Sequence, residues 1–251
     1  MPSRLVAIGD STVEGLEDPG PDGVYIGWAD RFARHLDVIH PGLLYANLAV
    51  RGQTAREVHQ TQLRPALALA PDFALVVAGV NDVLRPRFDR DALRDDLFAM
   101  HAVLAATGAQ VITFTMPDMA RVAPLAVVLR GRLQFLNSVT LQCRERYGSL
   151  VVDLASVPAA SHPALWHTDR LHGNSEGHRR VAAALAEAVG YEVADWRAEP
   201  PPSPTPGLVR VALGEAAWAG SHLIPWVWEH VRGQSTAVAA ACKRPNLLPV
   251  S

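Results

Sequence analysis

The chain has 251 residues, of which 49% are hydrophobic, and its formal net charge at pH 7 is −2. A chain of this length and composition can bury a large apolar core without disulfides or metals, and it does not belong to the disordered class. The near-zero charge argues against a dedicated nucleic-acid-binding protein, because such proteins carry a strong basic excess.

Short apolar runs alternate with helical patterns along the first three-quarters of the chain. The predicted strands are residues 4–9, 43–50, 73–78, 111–116 and 150–154. The predicted helices are residues 27–36, 54–69, 89–107, 124–146 and 175–189. Continuous apolar strands that alternate with helices are typical of a parallel sheet covered on both faces. The sequence therefore predicts a three-layer α/β domain over residues 1–192.

The composition changes after residue 192. The predicted parts are a proline-rich linker at 193–207, a helix at 208–232 and a flexible tail at 233–251. The predicted helix contains Trp218, Trp226 and Trp228. Its apolar stripe favours packing on the α/β domain. A lid over the active site and a homodimer contact are open alternatives. A membrane anchor needs a basic polar face, whereas Glu215 and Glu229 offset the arginines of this segment.

The same sequence predicts a cytoplasmic protein. The apolar run near the start is too short for a secretory signal, and no window approaches the 18 or so apolar residues of a membrane span. Cys143 and Cys242 lie far apart in unrelated contexts, so we expect no structural disulfide.

Polar groups follow three predicted strands and precede the last helix. The residues in question are Ser11, Gly52, Asn81, Asp169 and His172. Ligands of open α/β sheets bind beyond the carboxyl ends of the strands, so we expect these residues to meet there. A hydroxyl, a backbone donor, an amide and a carboxylate–imidazole pair are the components of an acyl-transfer site.

Each of these residues has an expected role. Ser11 is the nucleophile, His172 is the base that takes its proton, and Asp169 orients the imidazole. The N–H groups of Ser11 and Gly52 and the side-chain amide of Asn81 are the candidate donors to an oxyanion. Thr12, Trp166 and His167 are candidate substrate-lining residues. We expect Asp10 and Asp82 to brace loops.

These motifs resemble those of the SGNH hydrolases, also called GDSL esterases and lipases. The matching residues are Gly9-Asp10-Ser11 with Gly15, Gly52 after Asn47, Gly79-Val80-Asn81-Asp82, and Asp169 with His172. The resemblance implies a flavodoxin-like sheet of five parallel strands ordered 2-1-3-4-5. It also implies a metal-independent Ser-His-Asp hydrolase acting on carboxylic esters. Two positions depart from the family pattern: Thr12 replaces a frequent leucine, and Gly173 replaces a frequent proline.

The predicted substrate is a short-chain or small-molecule carboxylic ester, and no cofactor is expected. A thioester, an acetylated sugar or an acyl transfer to an alcohol stays open, because all use the same triad. A non-catalytic scaffold that binds a partner is the alternative from another class. His162, His167 and His178 lie near His172, but their spacing does not place ligands on one helical face, so no metal site is predicted.

Overall fold

A mixed six-stranded sheet forms the centre of the computed structural model, which describes residues 3–21, 23–201 and 241–250. The strands are β1 (Arg4–Gly9), β2 (Leu44–Asn47), β3 (Phe73–Val77), β4 (Gln110–Phe114), β5 (Leu150–Val152) and β6 (Arg244–Pro249). They lie in the order β5-β4-β3-β1-β2-β6. The first five are parallel, and β6 runs antiparallel to β2. The carboxyl end of β1 therefore lies between those of β2 and β3.

The helices form layers against this sheet. They are α1 (Ser11–Glu14), α2 (Gly27–Ile39), α3 (Ala55–Thr61), α4 (Leu63–Ala68), α5 (Val80–Leu84), α6 (Arg90–Ala106), α7 (Arg130–Tyr147) and α8 (Ser175–Ala188). Helix α2 packs against α8, while α6 packs against α3 and α7. Among the described residues, no helix combines the length and the apolar character that crossing a bilayer requires.

Burial of both faces of the sheet explains why the strands consist of unbroken apolar residues. Leu5, Val6, Ala7 and Ile8 of β1 are all at most 1% exposed, because helices cover both faces of the sheet. Each of these side chains contributes about 1–3 kcal/mol by leaving water, according to its size. The core of the domain thus surrounds β1, the strand that leads directly to Ser11.

Local signals determine where several helices begin. Thr54 caps α3 in a reciprocal arrangement with Glu57, and Asp89 caps α6 by accepting from the N–H of Ala92. The helix expected at 54–69 is interrupted at Gln62, where α3 ends and α4 follows. The helix expected at 124–146 opens with a 3₁₀ segment, and α7 begins only at Arg130.

The C-terminal region differs from the prediction in two respects. Trp196 lies in the hydrophobic core, so the α/β domain extends past the expected boundary at residue 192. Residues 241–250 were expected in a flexible tail, but Arg244–Pro249 forms strand β6 beside β2. The sheet therefore has a sixth, antiparallel strand that the predicted five-stranded sheet lacked. The helix expected at 208–232 lies outside the described residues.

The side chains of Lys243 and Arg244, at the start of β6, hold this strand in place. Lys243 donates through Nζ to the carbonyl oxygens of Tyr25 and Ile26, and its Nζ lies 3.0 Å from Asp30 Oδ1. Arg244 donates from Nε to the Tyr45 carbonyl at 2.9 Å. The strand is thus tied both to the edge of the sheet and to the start of α2.

Candidate active site

Ser11 is the first residue of α1, directly beyond the end of β1. The buried side chain of Asp10 caps this helix, because its Oδ1 accepts from the N–H of Thr12 at 3.0 Å and from its hydroxyl at 2.9 Å. Burial raises the pKa of Asp10. The N–H of Ser11 donates to no acceptor within the described part of the chain, as expected at a helix N-terminus. It is therefore free to bind a ligand.

The end of β1 is fixed by Gln62, a residue that the sequence analysis did not single out. Its Oε1 accepts from the N–H of Gly9 at 2.8 Å, and its Nε2 donates to the carbonyl of Gly9, also at 2.8 Å. The same Nε2 donates to Gln53 Oε1 at 2.7 Å. One buried amide thus clamps the backbone two residues before Ser11. Nothing in the local sequence indicates this contact, because 53 positions separate the partners.

Three side chains form a continuous hydrogen-bonded relay. Ser11 Oγ lies 2.8 Å from His172 Nε2, and His172 Nδ1 lies 2.7 Å from Asp169 Oδ2. The other carboxylate oxygen of Asp169 accepts from the N–H groups of Leu171 at 2.9 Å and His172 at 3.0 Å. Burial raises the pKa of Asp169, but the bond and charge of His172 and these two N–H groups together hold that pKa well below its usual range.

A tight turn before α8 supplies Asp169 and His172. The N–H of His167 donates to the carbonyl of His172 at 2.8 Å, and Trp166 pairs with Gly173 in an isolated antiparallel bridge. Arg170, at the tip of this turn, has a φ of +59°. The turn brings the carboxylate back towards the imidazole three residues later, so that the short Asp-x-x-His spacing becomes a direct contact.

A second backbone donor comes from the segment after β2. The Glu14 carboxylate accepts from the N–H and the Nε of Arg51, both at 3.1 Å, and it also contacts the guanidinium Nη2. Gly52 follows with a φ of +78°, in the left-handed region that favours glycine. Its N–H donates to none of the described residues. The buried carboxylate of Glu14 thus positions the segment that carries a free donor.

Asn81 lies at the same edge, but its amide is already engaged. Its Nδ2 donates to the carbonyl of Gln53 at 2.9 Å and to Asp10 Oδ2 at 3.2 Å. The neighbouring Asp82 accepts from the N–H of Ala55 at 2.8 Å and so joins the start of α5 to the start of α3. Burial raises the pKa of Asp82 to about 6. Asp82 has the bracing contact expected of it, whereas Asn81 has to release a bond to act as a donor.

His178, six residues after His172, has a structural environment. His178 is buried, accepts at Nδ1 from the N–H of Trp28 at 3.2 Å, and donates from Nε2 to the carbonyl of Leu16 at 2.9 Å. Burial lowers the pKa of His178 to about 4, so this ring is neutral at pH 7. It therefore links α8 to the segments that follow α1 and begin α2.

Among the described residues, Glu17, His167 and Asp169 form a group whose side chains could hold a metal ion. His167 Nε2 lies 3.3 Å from Glu17 Oε2, and its Nδ1 lies 3.7 Å from Asp169 Oδ2. The His167 ring thus lies beside both carboxylates, and Asp169 also takes part in the relay with His172. The arrangement gives the Asp169 carboxylate two imidazole neighbours.

An apolar cavity of about 90 Å³ opens beside His172. Thr12 and Trp166, both expected near the substrate, contribute to its wall. His167, the third expected lining residue, lies outside that wall. Trp28 and Trp196 also border the cavity, although neither lies in one of the sequence motifs that predict the site. Trp28 reaches it from α2, and Trp196 reaches it from the segment that follows α8.

Comparisons with known proteins agree with this architecture. An acetylxylan esterase from Geobacillus stearothermophilus is 24% identical over 212 residues, covering 75% of this chain and 94% of the relative. The crystal structure of acetylxylan esterase from that organism has a TM-score of 0.64 at 22% identity, covering 77% of this chain and 95% of that one. An alpha/beta hydrolase enzyme from the metagenome of Lake Arreo, Spain, has a TM-score of 0.61 at 24% identity, covering 75% and 96%.

The fold defines an α/β protein with a hydrolase-like architecture. The sequence matches the GDSL-like lipase/acylhydrolase family over residues 7–180, and the chain belongs to that family. The resemblance carried by the four sequence motifs is thereby confirmed. At the level of the family, the chain is an ester hydrolase.

Proposed function

We propose that the chain is a serine esterase that cleaves carboxylic esters of small molecules through an acyl-enzyme on Ser11. The observation that carries this proposal is the relay from Ser11 Oγ through His172 to Asp169, with contacts of 2.8 and 2.7 Å. These distances fall within the range required of a nucleophile, its base and the group that orients the base.

The proposed reaction has two halves. In the first, His172 Nε2 takes the proton of Ser11 as its Oγ attacks the ester carbonyl, and then gives that proton to the leaving alcohol. In the second, a water molecule attacks the acyl-enzyme, with His172 again acting as base and then returning a proton to Ser11. Asp169 stays ionised throughout, holds the Nδ1–H tautomer and stabilises the imidazolium.

The tetrahedral intermediates need donors at their oxyanion. The free N–H groups of Ser11 and Gly52 are two such donors in this proposal. Asn81 becomes the third by exchanging its longer bond, the 3.2 Å contact with Asp10, for the oxyanion, while it keeps the 2.9 Å bond to Gln53. Oxyanion donors of this kind are typically worth about 3–4 kcal/mol each in the barrier.

A carbohydrate deacetylase is the second candidate function. The supporting observation is that the curated relative and several similar structures are acetylxylan esterases. The same triad would serve a thioesterase or an acyltransferase, and these stay predictions of the sequence, as does the cytoplasmic location. Parallel assays with p-nitrophenyl butanoate and with acetylated xylo-oligosaccharides separate the first two candidates, because only the second substrate carries its acyl group on a sugar hydroxyl.

The decisive experiment combines a fluorophosphonate probe with a chromogenic short-chain ester. Only an activated serine reacts quickly with the probe, so we expect labelling of the wild-type chain at Ser11 and none in Ser11→Ala. Turnover in Ser11→Ala should fall by about 10⁴-fold or more. Ser138→Ala is the matched control, because this exposed hydroxyl on α7 contacts only the carbonyl of Phe135 among the described residues. Equal turnover in Ser11→Ala and the wild type would refute the proposal.

A further inference from the structure

The cavity beside His172 has an almost wholly apolar wall. Val80, Phe114, Met116 and Leu154 line it from the carboxyl ends of β3, β4 and β5. Its polar boundary includes Arg180, whose Nε donates to Glu176 Oε1 at 2.8 Å, so that this charge is already paired. An apolar space of this kind favours a hydrocarbon group over a sugar hydroxyl.

The position of the cavity relative to the relay limits which part of the substrate enters it. Gly52 follows β2, on one side of β1, whereas the part of the cavity wall that the sheet supplies follows β3, β4 and β5 on the other side. When the ester oxygen turns towards the donor at Gly52, one substituent of the carbonyl carbon points to the cavity. The leaving oxygen must stay near His172 Nε2, which gives it a proton, and this ring borders the cavity as well. We assign the acyl chain to the cavity because its hydrocarbon suits the apolar wall, and a substrate series that varies the alcohol tests this assignment.

Trp196 forms a rigid part of the cavity wall. Its side chain is 5% exposed, and its Nε1 donates to Glu187 Oε2 at 2.9 Å. The guanidinium of Arg197 lies 4.0 Å from the centre of its ring and pairs with Glu187 at 2.7 Å. Arg180 Nη1 donates to its carbonyl at 3.3 Å. The ring is thus held at Nε1 and across one face, and Arg180 holds its backbone, so the ring does not readily yield to a longer ligand.

We propose that this cavity is the acyl site of the enzyme and that Trp196 sets the longest chain it accepts. An engineered cavity of about 150 Å³ holds the six carbons of benzene, so a space of about 90 Å³ has room for three or four. The preferred esters therefore carry unbranched acyl chains of about four or five carbons, longer than acetyl. This inference rests on the proposed function and specifies its substrate class.

The test compares p-nitrophenyl acetate, butanoate, hexanoate and octanoate. For the wild type we expect kcat/KM for butanoate to exceed that for acetate about tenfold or more, since each buried methylene favours binding about fourfold. Octanoate should fall below butanoate. Trp196→Ala should raise the octanoate-to-acetate ratio at least tenfold, and Val181→Phe, which fills the cavity from α8, should lower the butanoate-to-acetate ratio by a similar factor.

Phe98→Ala is the matched control, because this partly buried aromatic ring of α6 packs on Tyr147 outside the cavity wall. It should leave the acyl profile unchanged. A second substrate series varies the alcohol at constant acetate. If Trp196→Ala changes the alcohol preference and not the acyl preference, the cavity holds the alcohol and the inference is wrong. The inference is also wrong if the wild-type kcat/KM does not change with the length of the acyl chain, and this result does not depend on whether the variants fold.

Fluorophosphonate labelling distinguishes the two levels of failure. A wild-type chain that is neither labelled nor active on any ester contradicts the serine esterase itself. A chain that is labelled at Ser11 and hydrolyses acetate, but shows no optimum in acyl length, contradicts only the acyl site. Labelling of each variant also reports whether its relay is intact when its acyl profile is measured.

Discussion

His172 Nε2 lies 2.8 Å from Ser11 Oγ although 161 positions separate the two residues in the chain. This contact depends on the placement of the turn before α8 over the end of β1. His178, six residues after His172, contributes to that placement, because it bonds to the carbonyl of Leu16 and to the N–H of Trp28. A buried, neutral histidine thus holds together the elements that carry Ser11 and His172.

The carboxylate of Asp169 should be essential for turnover and dispensable for folding. In Asp169→Asn the amide favours the wrong imidazole tautomer, so we expect kcat for a p-nitrophenyl ester to fall by about 10⁴-fold. Asp95→Asn is a suitable control, because this exposed carboxylate pairs with Arg94 on the surface of α6. Steady-state kinetics on both variants checks the expectation. A loss of less than tenfold in Asp169→Asn would show that the relay does not operate as proposed.

The amide of Asn81 should act in the transition state more than in substrate binding. Asn81→Ala removes the donor that we assign to the oxyanion, and kcat should fall by about 10²–10³-fold with little change in KM. The variant also leaves the carbonyl of Gln53 without its donor, at a cost of about 1–3 kcal/mol in the free energy of unfolding. Kinetics and urea denaturation measure the two effects separately. A rise in KM at constant kcat would assign Asn81 to ground-state binding instead.

Asp82 gives the stability of the fold a specific pH dependence. Its pKa of about 6 in the folded chain lies above the ordinary value of 3.8, so the folded state binds its proton more tightly than the unfolded state does. The stability from this group is complete below about pH 4 and is lost as the pH rises through 6. Asp82→Asn keeps an acceptor for the N–H of Ala55 and does not titrate. Relative to the wild type, it should therefore gain about 2 kcal/mol between pH 4.5 and 7.5.

Urea denaturation of both proteins at the two pH values tests this expectation. Because all other groups titrate in both proteins, their contributions cancel in the difference between the variant and the wild type. Asp95→Asn again supplies the reference for an exposed carboxylate. If the gain of Asp82→Asn is the same at both pH values, the carboxyl of Asp82 is not protonated in the folded chain near pH 5.

The sequence predicted those features that have a local cause. The strand expected at residues 4–9 is present with the same bounds, because an unbroken apolar run has no other stable environment in this fold. The capping pair of Thr54 and Glu57 lies within four residues and marks the start of α3. The motif residues Ser11 and His172 could be found because each follows or precedes a recognisable element, and the structure brings them together.

Features that depend on distant partners left no such signal. Gln62 appears as one polar residue within a helical pattern, and its contact with Gly9 becomes visible only once the chain has folded. Trp196 lies just before a proline-rich stretch, a pattern that predicts a linker, although tertiary packing draws it into the core. Strand β6 contains two prolines and mostly exposed side chains, a pattern that resembles a loop more than a strand.

Strand β6 also determines how the sheet ends. Without it, β2 would present a row of unpaired N–H and C=O groups, which is a template for pairing with another chain. The N–H of Val250 points inwards to the carbonyl of Leu43, so the alternation of the strand turns the nitrogen of Pro249 outwards, where it has no hydrogen to donate. A strand that pairs on one side and is blocked on the other protects this edge of the enzyme from self-association into extended sheets.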